Sequence, residues 1–159
     1  MKILLITTLY PAYKNQSKIE QTYAVHYFAK EWTKNNDVSV MRLFPSYPMG
    51  LESFGKFKKN KLIKSYGDNY TIDGVDIKRV LIRKYPKITY RKTDIRNVAK
   101  NIIDYLAGYN IPDLIICDIL NPSIYVGEII ARKFNRKLVA SLHNSDIFYL
   151  KNNKNYKKY

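Results

Sequence analysis

Long apolar runs recur along the chain, and segments with apolar residues at helical spacing separate them. The runs are KILLITTLY near the start, then DVSVMRLF, PDLIICDI and KLVASLH. KILLITTLY is continuously apolar, which predicts a strand buried on both faces, as parallel sheets require. Between the segments YTI and VDIKRVLI, Asp73 and Gly74 predict a tight hairpin turn.

The first helical segment carries a start signal. Ser17 and Glu20 form a capping-box pattern, which predicts a helix from there to about Lys34. His26 lies opposite Phe28 on this helix, so we expect His26 to face solvent. The predicted buried positions are Ala24, Val25, Phe28 and Trp32.

Two further helices are predicted in the second half of the chain. In TDIRNVAKNIIDYLAGY, Thr93 is the predicted N-cap and Gly108 the terminator of an amphipathic helix. In NPSIYVGEIIARKF, Asn121 is the predicted cap and Pro122 takes the first helical position. The apolar stripe of the first of these helices consists of Ile95, Val98, Ala99, Ile102 and Leu106.

Strands that alternate with helices predict an α/β fold. We expect a doubly wound, mainly parallel sheet with helices on both faces and a small β-hairpin. The 159 residues suit one domain. We assign residues 1–147 to this domain and interpret residues 148–159 as a basic tail.

The chain is strongly basic, with 28 Lys and Arg residues against 13 Asp and Glu and a formal net charge of +15. This charge favours an anionic partner, such as nucleic acid, lipid headgroups or phosphorylated small molecules. A lysine-rich proteome is the alternative explanation. The single cysteine, Cys117, excludes a disulfide within the chain and suits a reducing, cytosolic setting. No apolar segment approaches the ~20 residues that span a bilayer.

Ligands of open α/β sheets bind beyond the carboxyl ends of the strands. This rule selects the loop after the first strand, the segment 118–121 and the segment 143–146. His143 is a candidate general base or hydrogen-bonding group, and Asp146 is a candidate to orient it or to bind substrate hydroxyls. The alternative is an ordinary polar turn in which Asp146 caps a helix.

The sequence lacks the motifs of several enzyme classes. No G-x-G-x-x-G follows the first strand, and neither a P-loop nor a G-x-S-x-G elbow occurs. Two histidines and one buried cysteine are too few for a metal site. The sequence therefore argues against a dehydrogenase, a kinase, a serine hydrolase and a zinc enzyme.

Four stretches resemble a known family in their order and spacing: MKILLITTLYP, AVHYFAKEW, PDLIICDILNPSIYVGEIIARKF and KLVASLHNSDI. The family is the retaining, nucleotide-sugar-dependent glycosyltransferases of the group 1, or family four, type. The part resembled is their N-terminal, acceptor-side domain, which is one Rossmann-like half of the GT-B fold. The resemblance covers roughly residues 1 to 147.

The resemblance implies a set of site residues. His143 and Asp146 match the histidine and aspartate of an element that lines the cleft, and they are the expected catalytic residues. Three positions depart from the family pattern: no glycine precedes the first helix in IEQTYAV, Asn144 replaces a glycine, and Asp118 stands where a histidine is frequent. The expected substrate-binding residues are Tyr10, Pro11, Thr22, Asp118, Asn121, Asn144 and Ser145.

The resemblance also implies the cofactors, donor and acceptor of the site. It implies no metal and no cofactor bound by this domain alone, a nucleotide diphosphate sugar as donor, and a glycan or lipid-linked glycan as acceptor. The donor binds mainly to a C-terminal domain that has no counterpart in this sequence. We therefore expect the chain to be part of a longer enzyme and to be inactive by itself.

A basic, aromatic stretch between Pro45 and Tyr66 is expected to dock on anionic lipid at the cytoplasmic face of the cell membrane. A solvated basic loop is the alternative. The residues expected to face the membrane are Phe54, Lys56, Phe57, Lys58, Lys59 and Lys61.

Two other functions remain open at this point. The charge and the mixture of tyrosine and lysine allow a non-catalytic nucleic-acid-binding module. The chain carries no recognised RNA- or DNA-binding motif, so a nucleic-acid partner is not expected. A sugar-nucleotide epimerase of the same two-domain fold is the other alternative.

Overall fold

The fold was analysed in a computed structural model that describes residues 1–18, 21–47, 63, 66–85, 90–108 and 110–152. The expected membrane-facing residues lie outside these ranges, as do Glu20 and residues 153–159. The strands are β1 (Lys2–Thr7), β2 (Asp37–Ser46), β3 (Asn69–Ile72), β4 (Val75–Arg83), β5 (Leu114–Asp118) and β6 (Lys137–Ser141). The helices are α1 (Ala24–Trp32), α2 (Lys92–Ala107), α3 (Tyr125–Phe134) and α4 (Asn144–Asn152).

The strands form one six-stranded sheet in the order β3-β4-β2-β1-β5-β6. Five strands run parallel, and β3 pairs antiparallel with β4 at the edge. Asp73 and Gly74 join β3 to β4 with φ angles of 50° and 81°, which confirms the predicted hairpin. The fold is therefore the predicted α/β, Rossmann-like, mainly parallel sheet.

The chain winds outward from the middle of the sheet in two directions. It passes from β1 to β2 and β4 on one side, and then returns to build β5 and β6 on the other side. The direction reverses between β1 and β5, whose parallel pairing runs from Ile3 beside Leu114 to Ile6 beside Cys117. This reversal is a topological switch point, where a crevice opens at the carboxyl ends of the strands.

Helices cover both faces of the sheet. On one face, α2 and α3 pack against Leu4, Ile6, Met41 and Ile115, among others. On the other face, α1 packs through Val25 and Ala29. The apolar stripe predicted for α2 is confirmed, because all five of its residues are buried.

The prediction for α1 was wrong at its start and on its buried face. The helix begins at Ala24 rather than after Ser17, and Phe28 is 61% exposed whereas His26 is only 1% exposed. Val25 is buried as predicted, but Ala24 is exposed and Trp32 is only half-buried. A polar side chain is tolerated at position 26 because both of its ring nitrogens have hydrogen-bond partners, the buried Tyr10 and Asp73 of the hairpin turn.

Helix starts elsewhere also differ from the predictions. Arg91 rather than Thr93 precedes α2, although the helix does end before Gly108. Asn121 has extended backbone angles, and α3 begins only at Tyr125, after a wide helical turn over Leu120–Ile124. The expected domain boundary at residue 147 falls inside α4.

In the described ranges, no helix is long and apolar enough to cross a membrane.

Candidate functional site

The switch point carries a threonine and an aspartate at the ends of adjacent strands. Thr7 is the last residue of β1, and Asp118 is the last residue of β5. The Thr7 hydroxyl donates to Asp118 Oδ2 at 3.1 Å, and it accepts a hydrogen bond from the Leu9 amide at 2.9 Å. Both side chains are buried, so this contact fixes one oxygen of the carboxylate.

His143 completes the cluster from the end of β6. Its Nε2 lies 2.8 Å from Asp118 Oδ1, so both oxygens of the carboxylate are engaged. A carboxylate only accepts hydrogen bonds, and Nε2 must therefore carry the proton. In the neutral ring, Nδ1 is then the basic nitrogen. The His143 side chain is 40% exposed, whereas that of Asp118 is only 8% exposed, so the ring is the accessible part of the pair.

The chain after β5 is strained where it leaves the sheet. Ile119 has a φ of 72° and a ψ of 136°, which is rare for a β-branched residue. Its amide donates to the Ser141 carbonyl at 3.1 Å and so ties the end of β5 to the end of β6. Such strain persists only where surrounding contacts enforce it, and it clusters at ligand sites.

The wide turn Leu120–Ile124 contacts β1, β5 and β6, which places it at this edge of the sheet. Two of its polar atoms, Asn121 Oδ1 and Ser123 Oγ, are buried without a hydrogen-bond partner among the described residues. Buried polar atoms without partners are uncommon in folded proteins. The turn therefore carries two buried polar atoms with unused hydrogen-bonding capacity at the same edge of the sheet as the pair of His143 and Asp118.

Asp146 has a different place from the one expected. Its Oδ2 accepts a hydrogen bond from the backbone amide of His143 at 3.0 Å, and no described contact joins it to the imidazole. His143 is the residue before α4, so Asp146 caps this helix from its first turn. The contact that orients the ring comes from Asp118 instead. Asn144 and Ser145 are exposed at the start of α4.

Tyr10 and Pro11 do not line the crevice, contrary to expectation, because the chain after β1 folds across the sheet and buries them. The Tyr10 hydroxyl lies 2.8 Å from His26 Nδ1, and burial raises the pKa of this phenol well above its ordinary value. Pro11 contributes its carbonyl to the Tyr70 hydroxyl at 2.5 Å. Thr22 is exposed before α1, where its hydroxyl accepts from the Ala24 amide at 3.3 Å.

Cys117 lies outside the cluster of Thr7, Asp118 and His143. It precedes Asp118 on β5 but points into the core, and burial raises the pKa of its thiol to about 12. A thiol with so high a pKa is a poor nucleophile at neutral pH. In the described part of the chain, no group of three or more His, Cys, Asp or Glu residues is placed to hold a metal ion.

Two residues of this site, Thr7 and Ser123, are not predicted from the sequence. Thr7 ends an otherwise apolar strand, which is a weak signal for a polar role at the carboxyl edge. Ser123 gives no signal in the sequence, because Asn121 and Pro122 predict the first turn of a regular helix over this segment. The site thus combines four predicted positions, Asp118, Asn121, His143 and Asp146, in a geometry that only the fold reveals.

No protein-family model and no curated protein matches the chain. Among solved structures, the C-terminal domain (residues 83–215) of a hydrogenase from Pyrococcus furiosus is similar with a TM-score of 0.46 and 15% identity, over 88% of this chain and 90% of that one. A second structure of that domain, residues 78–226, has a TM-score of 0.45 and 17% identity, over 89% and 90%.

Proposed function

We propose that the chain is the acceptor-side domain of a retaining, nucleotide-sugar-dependent glycosyltransferase that builds cell-surface polysaccharide or lipid-linked glycan. The observation that carries the proposal is the His143–Asp118 pair. It stands at the switch point of a doubly wound sheet, with the aspartate buried and the imidazole accessible. The sequence resemblance of the HNSD element is the second support.

In this proposal, His143 is a substrate-positioning group rather than a nucleophile. With Nε2 held by Asp118, Nδ1 is the atom that accepts a hydrogen bond from a hydroxyl of the transferred sugar. Asp118 fixes the ring, and Asp146 fixes the backbone of the same residue through the cap of α4. Fixing both the ring and the backbone of this residue lowers the entropic cost of placing the sugar for reaction.

The remaining parts of the proposal concern groups outside this chain. The donor is a nucleotide diphosphate sugar that binds mainly to a C-terminal domain, and the acceptor is a glycan or lipid-linked glycan. The enzyme works in the cytoplasm, at the inner face of the cell membrane. The net charge of +15 supports attraction to that anionic surface.

The test is a transfer assay with the product of the complete gene. Release of nucleoside diphosphate from UDP-, GDP- and dTDP-sugars is measured with lipid-linked and soluble glycan acceptors. We expect His143→Ala to lower kcat by about a hundredfold. The matched control is Lys100→Ala at an exposed position of α2, which should leave kcat unchanged. Equal turnover by wild type and His143→Ala would remove the site assignment.

The charge also favours a competing function, binding of single-stranded nucleic acid. That function predicts an affinity for oligonucleotides that falls with salt, with a slope near −0.7 per neutralised phosphate. Tight, salt-dependent oligonucleotide binding without any sugar transfer would replace our proposal. Conversion of a nucleotide sugar into its epimer, with no acceptor present, would favour the epimerase alternative.

A further inference from the structure

A cavity lies away from the switch point, between the loop after β1 and the segment that leads into β3. Its volume is about 330 Å³, which is at the small end of the usual range for ligand pockets. Three tyrosines, two asparagines and a lysine line it: Tyr13, Tyr66, Tyr70, Asn15, Asn69 and Lys14. Strands β3 and β1 are three strand spacings apart, roughly 14 Å, so this cavity is distinct from the His143 site.

The cavity is lined by an aromatic platform. The rings of Tyr13 and Tyr66 stack with centroids 4.7 Å apart and an interplanar angle of 16°. Tyr66 remains 44% exposed, so part of its ring is available to a ligand. The Tyr70 hydroxyl is already committed to the Pro11 carbonyl, which leaves its ring as the lining surface. Burial raises the pKa of Tyr70 to about 12, so this phenol stays neutral at physiological pH.

A buried arginine holds the two walls of the cavity together. The Arg79 side chain is fully buried, and its guanidinium donates to the carbonyls of Ala12, on one wall, and of Tyr66 and Gly67, on the other. It is also paired with Asp68 at 3.0 Å. The guanidinium therefore fixes the position of the backbone beside Tyr13 and at Tyr66. The platform is preorganised, which reduces the entropic cost of binding a ligand.

We propose that this cavity is a saccharide-binding subsite. An aromatic face packs well against the apolar C–H face of a sugar ring, and the side-chain amides of Asn15 and Asn69 both donate to and accept from hydroxyl groups. Both asparagines and Lys14 are exposed at the cavity. Among the residues that the structure describes, Lys14 is the one cation that lines the cavity, whereas a nucleic-acid backbone needs a row of cations. The lysine instead favours sugars that carry a carboxylate.

The ligand class follows from the chemistry of the cavity and does not require the proposed transferase activity. Only the identity of the saccharide rests on the proposed function: it would be a sugar of the acceptor glycan remote from the reacting bond. Binding at the tyrosine cavity and transfer at His143 are therefore measured separately.

The test is NMR on the 159-residue chain. Amide and side-chain ¹H–¹⁵N spectra are recorded with neutral glucose-, mannose- and N-acetylglucosamine-based trisaccharides, with a glucuronic-acid-containing tetrasaccharide, and with uridine monophosphate as the competing ligand class. We expect saturable shifts at Asn15 and Asn69 with at least one saccharide, and tighter binding of the acidic one. Tyr66→Ala should weaken binding by about tenfold, and Tyr66→Phe should retain it.

Two controls locate the binding. Tyr105→Ala removes a comparably exposed tyrosine on α2 and should leave the affinity unchanged, as should His143→Ala. If His143→Ala abolishes saccharide binding and Tyr66→Ala does not, the cavity proposal fails while the proposed function gains support. If no saccharide shifts Asn15 or Asn69, or only the nucleotide does, the cavity proposal is wrong.

Discussion

The two histidines of the chain occupy opposite kinds of environment. His26 is only 1% exposed, with Nδ1 2.8 Å from the Tyr10 hydroxyl and Nε2 3.3 Å from Asp73. His143 has a comparable carboxylate contact, 2.8 Å from Asp118, but its side chain is 40% exposed. Both rings are oriented by an aspartate, and only the second is accessible to a ligand.

This difference separates a structural network from a candidate site. Because Asp73 only accepts, His26 Nε2 donates to it, and Nδ1 accepts from Tyr10, whose raised pKa keeps the phenol protonated. The first histidine therefore has both nitrogens engaged and joins the loop after β1 to α1 and the hairpin. At His143 the aspartate is the buried partner and the imidazole faces outward, which is the arrangement a substrate needs.

Within β5, a residue of the structural core directly precedes a residue of the candidate site. Burial raises the pKa of Cys117 to about 12, while the next residue, Asp118, belongs to the crevice. We expect the native thiol to react with a neutral thiol reagent about a thousandfold more slowly than an ordinary cysteine. Reaction at the rate of the urea-unfolded chain would show that the crevice reaches into the core at this point.

His26→Ala should be the most destabilising change at either histidine. It leaves the Tyr10 hydroxyl buried without a partner and opens a cavity beside it, at a cost of about 3 kcal/mol in the free energy of unfolding. The matched change, His143→Ala, should cost less than about 1 kcal/mol. Urea unfolding followed by circular dichroism measures both.

A double-mutant cycle sharpens this prediction. A Tyr10→Phe background has no hydroxyl to leave without a partner. In that background His26→Ala should therefore lower the free energy of unfolding distinctly less than it does alone. If His26→Ala and His143→Ala lower the free energy of unfolding equally, His26 is not the structural histidine of the two.

Asp118→Asn should have an intermediate effect. The variant loses the charged acceptor for both Thr7 and His143, and we expect it to lower the free energy of unfolding by about 1–2 kcal/mol. It should also leave His143 without the carboxylate that holds its proton on Nε2. The imidazole ¹⁵N chemical shifts report the resulting change of tautomer directly. Asp146→Asn serves as the control: it disturbs the cap of α4 but should leave those shifts close to wild type.

Asp73→Asn should have the smallest effect, and one that depends on pH. Its contacts with Lys30, first, and His26, second, hold the pKa of Asp73 below its ordinary value. A carboxyl with a depressed pKa adds stability above its unfolded pKa and loses it as the pH falls through the folded value. Wild type should therefore exceed Asp73→Asn in stability at pH 7, and the difference should shrink below about pH 4. A difference that grows on acidification would contradict this assignment.

The sequence predicted the architecture more reliably than the site. The apolar runs, the stripe of α2 and the Asp73-Gly74 turn each encode local structure, and each was confirmed. The burial of His26 was not predictable, because it depends on Tyr10 and Asp73, which lie far from it in sequence. For the same reason the sequence predicts Asp146, three residues away, as the partner of the His143 ring, whereas the structure shows Asp118, 25 residues away.

The irregular turn after β5 could not be predicted either. Asn121 and Pro122 resemble the start of a helix, but contacts with three strand ends give the segment another shape. Tertiary contacts overrode the local signal at the edge where the candidate site lies. Such local disagreements are expected at functional sites.

The central claim, that His143 is open to substrate whereas His26 is structural, has one direct test. Long-range ¹H–¹⁵N spectra of the 159-residue chain show only two imidazoles, since the chain has two histidines. They are recorded during titration with glycan acceptors, the ligands proposed to bind this domain, and with UDP-, GDP- and dTDP-sugars at concentrations high enough to occupy the acceptor-side half of the site alone. We predict saturable shifts of the His143 nitrogens and constant signals for His26. Unchanged His143 signals with every ligand, or equal shifts of both rings, would contradict the account.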